Sequence, residues 1–70
     1  MADIVALMAG TVNEVKVKEN DTVNSGDEVV ILESMKMLIP LQAQSAGTVK
    51  EIKAQVGQFV NQGDTIIVLG

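Results

Sequence analysis

A chain of 70 residues with a net charge of −4 has room for one domain, and a domain this small buries only about 60% of the surface its unfolded form exposes. It has no His, Cys, Trp or Tyr, which excludes imidazole and thiolate catalysis, disulfides and His/Cys zinc sites. Five lysines are its only basic residues, too few and too scattered for a phosphate backbone, so nucleic acid is not an expected partner.

The composition is 47% hydrophobic, which argues against disorder, yet no apolar run approaches the ~20 residues a membrane helix needs. The opening Met1-Ala2-Asp3 lacks the positive n-region of a secretory signal. Absence of cysteine is what cytosolic proteins tolerate best. A cytoplasmic chain that avoids membranes is the expectation.

In chain order, the dominant signal is a duplication. Residues 9–33 read AGTVNEVKVKENDTVNSGDEVVILE and residues 46–70 read AGTVKEIKAQVGQFVNQGDTIIVLG; without gaps they agree at 11 of 25 positions. Several of the mismatches are only Val/Ile exchanges. Gly10 and Gly47 punctuate strand starts near the head of the two copies. Val15 and Val17, set among Glu14, Lys16 and Lys18, give a partial period-two alternation that predicts a strand. Asn24-Ser25-Gly26-Asp27 and Asn61-Gln62-Gly63-Asp64 read as matched turns in which at least one Gly takes φ > 0. Val29-Val30-Ile31-Leu32 and Ile66-Ile67-Val68-Leu69 are short β-branched runs that read as strands. No helix is expected. The chain reads as a single domain over residues 1–70, all-β, with about eight strands. Its two halves are expected to pack face to face as a flattened barrel or sandwich.

The segment from Ser34 to Ser45 has no counterpart in the other half by sequence. It is expected to join the halves, with the chain termini at the symmetry-related place. Strand runs flank Met35-Lys36, which puts that pair at a tight hairpin tip, where Gly, Asn, Asp, Ser or Pro is the usual choice. Two methionines bracketing a lysine at an exposed turn break a local rule without visible gain in stability, and such places are where function is sought. A solvated lysine is the plainer interpretation of Lys36, as core filler is of Met35 and Met37. One of the two methionines is expected to tuck against the barrel.

Glu33-Ser34-Met35-Lys36-Met37, midway between the Ala-Gly-Thr-Val openings and the Val-Asn-x-Gly-Asp turns, closely resembles biotin carboxyl carrier domains of the biotinyl/lipoyl attachment family. The resemblance covers essentially the whole chain. It implies a flattened barrel of two quasi-symmetric four-stranded antiparallel sheets, with biotin joined to Lys36 in amide linkage by a biotin protein ligase. It further implies a swinging arm that takes a carboxyl group at a biotin carboxylase site and delivers it at a carboxyltransferase site, on a domain that is a carrier rather than an enzyme and monomeric in isolation. By the same resemblance Met35, Met37 and Glu33 serve ligase and partner recognition. An ordinary lysine amine is mostly protonated near neutrality, so a second protein is needed to activate the exchange.

The chain departs from the family pattern at Leu7-Met8, where many relatives have Pro, and at Leu38, where many have an acidic residue. The Lys18–Gly26 stretch has no room for the inserted thumb of some acetyl-CoA carboxylase carriers, which points to another carboxylase or a free-standing attachment protein. The competing function is a lipoyl or dual biotin/lipoyl carrier, with lipoate on the same lysine. Lipoyl domains usually have Asp before the lysine and a small residue after it, and Met35 and Met37 depart from that. Lys16, Lys18, Lys50 and Lys53 read as solvated strand faces.

Overall fold

The structure, a computed structural model, describes residues 3–70. Met1 and Ala2, on which much of the signal-peptide expectation rests, lie outside the described residues. Eight strands follow in order: β1 (Ile4–Val5), β2 (Gly10–Val15), β3 (Thr22–Val23), β4 (Glu28–Ser34), β5 (Met37–Gln42), β6 (Gly47–Ile52), β7 (Phe59–Val60) and β8 (Thr65–Leu69). They form two four-stranded sheets, ordered β5-β4-β2-β7 and β1-β8-β6-β3, and every pairing is antiparallel.

The duplication is visible in the core. Val12, Val23, Val29, Val30 and Leu32 of the first copy are buried, and so are Val49, Val60, Ile66, Ile67 and Leu69 at the matching places of the second. Each such aliphatic side chain contributes roughly 1.5–3 kcal/mol by leaving water. The halves do not each build a sheet, however. β3 leaves its own half to pair with β6, and β7 leaves its half to pair with β2. Each sheet is therefore closed at one edge by the two-residue middle strand of the other half, which corrects the expectation of two halves packing face to face.

A second correction concerns Ser34–Ser45. Leu41 pairs with Val30 as Ile4 pairs with Ile67, and Leu41 and Ala43 are buried like Ile4 and Ala6. The end of β5 is thus the structural twin of β1, and only the hairpin before it lacks a counterpart. Its symmetry-related place is where the chain ends meet: the Leu69 N–H donates to the Asp3 carboxylate at 3.3 Å.

The first strand alternates only in part because of a bulge. The β2–β4 register shifts between Val12 and Glu14, so Asn13 and Glu14 both face solvent, and the β6–β8 register shifts between Val49 and Glu51 in the same way. An extra residue breaks the period of two. β2 ends at Val15, while Val17 beyond it still packs on the core.

Matched turns set the sheet ends. Gly26 (φ 92°) and Gly63 (φ 89°) both adopt positive φ, as the third residue of a type II turn requires. In each turn the Asp carboxylate accepts from the Asn backbone N–H at 2.8 Å, Asp27 from Asn24 and Asp64 from Asn61. The glycines then donate to the equivalent carbonyls of Ala43 and Ala6, at 2.8 and 2.9 Å.

Candidate functional site

β4 and β5 form the longest continuous pairing, running from Ser34↔Met37 through Leu32↔Ile39 to Val30↔Leu41. Exactness of register here follows from β4, which has neighbours on both sides and buries Val29, Val30 and Leu32; a one-residue slip would turn that set outward. Pro40 sits within β5 because β5 is an edge strand, where a missing donor is tolerated.

Only Met35 and Lys36 lie between the two strands. Both have positive φ, 53° and 64°. A two-residue hairpin loop with positive φ at both positions is the type I′ turn, whose twist matches its flanking strands and whose preferred residues are Asn and Gly. Met and Lys hold a left-handed conformation that costs an ordinary L-residue roughly 1–2 kcal/mol. Cross-strand pairing below the turn enforces it.

Lys36 is exposed. Among the described residues no hydrogen bond or ion pair engages its amine, whereas Lys16 reaches Glu28 at 3.5 Å. Neither methionine tucks against the barrel: Met35 is 92% exposed and Met37 66%. The expectation of one buried methionine fails because Met35 belongs to the turn, and Met37 projects beyond the end of the core. Glu33 lies on the exposed face, opposite Leu38 on one side and Thr11 on the other. Beneath the tip β2 passes so close to β4 that a Cβ on Gly10 would stand 2.8 Å from the Glu33 carbonyl oxygen.

The structure thus brings Glu33, Met35, Lys36 and Met37 together on one hairpin. It adds Phe59, which the sequence had not singled out and which lies opposite Thr11, 61% exposed. Its signal in the sequence was its being the only aromatic residue of the chain, placed where the first copy has Thr22. Two concavities among the described residues, one beside Leu7, Leu41 and Asp3 and one beside Leu7, Pro40 and Ser25, each bring no two titratable groups together. Among the described residues no group of His, Cys, Asp or Glu could hold a metal ion.

The methylmalonyl-CoA carboxyltransferase 1.3S subunit of Propionibacterium freudenreichii subsp. shermanii is 54% identical over 35 residues, covering 50% of this chain and 28% of that protein. Biotinylated protein TB7.3 of Mycobacterium tuberculosis is 51% identical over 41 residues, covering 59% of this chain and 58% of that protein. The match therefore spans less than two thirds of either relative's length. The urea carboxylase of Kluyveromyces lactis superposes with a TM-score of 0.90 at 28% identity, over 97% of this chain and 6% of that one. The pattern of the family described as biotin-requiring enzyme matches residues 1–69, nearly the whole chain, and the chain belongs to that biotin/lipoyl attachment family.

Proposed function

We propose that this domain is a biotin carboxyl carrier, with Lys36 as the residue that a biotin protein ligase modifies. The supporting observation is the tip itself: an exposed amine without a partner, on a two-residue left-handed turn fixed by a continuous strand pairing. The residues fit the group, since an amide at this amine displaces no hydrogen bond or ion pair. Bound biotin supplies the ring that takes up and releases a carboxyl group, between a biotin carboxylase site and a carboxyltransferase site.

The chain's own residues bind, orient and present. Lys36 Nζ, once deprotonated, attacks the biotin carboxyl carbon that the ligase has activated with ATP; the C–N bond forms as the bond to the nucleotide phosphate breaks, the nucleotide leaves, and Nζ releases its second proton. The hairpin holds the Lys36 backbone, so the arm swings about side-chain bonds from a fixed origin. A tether of that kind makes each visit to an active site intramolecular and raises the effective concentration. The hard chemistry belongs to the cofactor, and the protein provides position and recognition. Met35 and Met37, with most of their surface in water, add little to the core and mark the lysine for its ligase.

Intact mass after incubation with biotin protein ligase, ATP and biotin tests the proposal. The domain gains one biotin, and Lys36→Arg, which keeps the charge but cannot form the amide, gains none while melting like the parent. Labelling of the Arg variant at another lysine overturns the assignment. Met35→Asp lowers the rate of biotinylation, because a ligase separates similar barrels by the side chains around one amine.

A further inference from the structure

The outer face beside the hairpin carries a row of four residues in strict register. Leu38 lies opposite Glu33, Glu33 opposite Thr11, and Thr11 opposite Phe59. Residues directly opposite share a face, so the row crosses the whole sheet and spans about 14 Å at the usual strand spacing. Its two ends are the exposed apolar side chains of Leu38, at 59%, and Phe59, at 61%. The row begins one residue beyond Met37, on the strand that leaves the Lys36 turn.

The other sheet supplies an internal control. Thr22 lies opposite Thr48, and Thr48 exchanges backbone hydrogen bonds with Gly70 at 2.9 and 3.0 Å. By the repeat these positions correspond to Phe59, Thr11 and Glu33. At the three positions that can be compared among the described residues, the row far from the hairpin has Thr22 where the row beside it has the exposed Phe59. Folding does not require the difference, since both sheets close equally well.

We propose that the row Leu38–Glu33–Thr11–Phe59 is the surface on which biotin protein ligase docks while it reaches Lys36. The proposal rests on Lys36 being the biotinylated residue. Reach identifies the occupant. The new bond forms at Nζ, five bonds from the backbone and roughly 6 Å away at full extension, so the enzyme that makes it must close over the tip and its flanks. Enzymes that meet biotin after attachment work at the end of a much longer arm. An exposed aromatic beside such a contact is the kind of anchor that dominates binding energy.

Initial rates of biotinylation, with the domain as the varied substrate, test the proposal. Phe59→Thr, which installs the residue of the matching position, raises KM for the domain about tenfold with kcat nearly unchanged, the mark of lost uniform binding. Leu38→Thr does the same, Phe59→Leu retains most of the parental KM, and Thr22→Val leaves it unaltered. Thermal melts equal to the parent's show that the barrel is intact. Unaltered KM in both Thr variants overturns the docking surface while biotinylation at Lys36 stands. Normal biotinylation with slowed carboxyl transfer also overturns it, assigning the row to a carboxylase component. A parent chain not labelled at Lys36 instead overturns the carrier assignment.

Discussion

The halves 9–33 and 46–70 share buried positions, a bulge just after Val12 and Val49 and the hydrogen-bonded turns at Asn24–Asp27 and Asn61–Asp64. They diverge in how they meet the demand for left-handed backbone, and in how closely their strands approach. Gly26 and Gly63 satisfy positive φ without strain. At the neighbouring turns the first half has Asn20 (φ 75°) where the second has Gly57 (φ 92°). At the hairpin, which has no twin, Met35 and Lys36 adopt the same region of backbone space with neither Gly nor Asn. The comparison teaches that strain is relieved where a turn only connects and retained where a particular side chain must be displayed. Such retention is expected where function and stability conflict.

The sharpest test of the halves' difference lies at their opening glycines. A Cβ on Gly10 meets the Glu33 carbonyl oxygen at 2.8 Å, whereas one on Gly47 meets Leu69 Cβ at an ordinary 3.4 Å. Gly10→Ala is expected to destabilise by about 1–3 kcal/mol, as overpacking does. Gly47→Ala is expected to be neutral or to stabilise by up to about 1 kcal/mol, since Gly is the poorer strand residue. Urea denaturation of both variants decides it, and equal losses would break the comparison.

Next in size is the tip. Replacing Met35-Lys36 by Asn-Gly supplies the residues a type I′ turn prefers and is expected to stabilise by about 1–2 kcal/mol, while abolishing biotinylation. Lys36→Ala removes the amine without relieving the backbone, so its melting temperature stays near the parent's. A double variant no more stable than the parent would show that the turn stores no strain. Smallest is Asn20→Gly, which makes the first half like the second. Asn tolerates the left-handed region better than other non-Gly residues, so the expected gain is below about 1 kcal/mol, seen as a small rise in melting temperature.

Much of the hairpin was legible in the sequence. Val29–Leu32 and Leu38–Leu41 are apolar runs separated by too few residues for anything but a tight turn, and Met-Lys-Met stands out against ordinary turn chemistry. The loss of alternation after Val12 hinted at the bulge, but a broken period does not say which residue is extra. Burial of the methionines was misjudged because strand alternation was extended to a residue that lies in the turn.

The sequence by itself determined the eight-strand, all-β character, the duplication, the matched turns and the exposed lysine, because these follow from local periodicity and turn propensity. Only the tertiary structure decided that Thr22–Val23 and Phe59–Val60 cross into the opposite sheets, that Leu41–Ala43 repeats Ile4–Ala6, and that Phe59 shares a row with Leu38. A two-residue strand between turns carries too little pattern to specify its partner. Its place is fixed by hydrogen bonds the neighbouring edge leaves open and by burial of Val23 or Val60 in a core built from both halves. Those are non-local terms, and they act only once the two copies have come together.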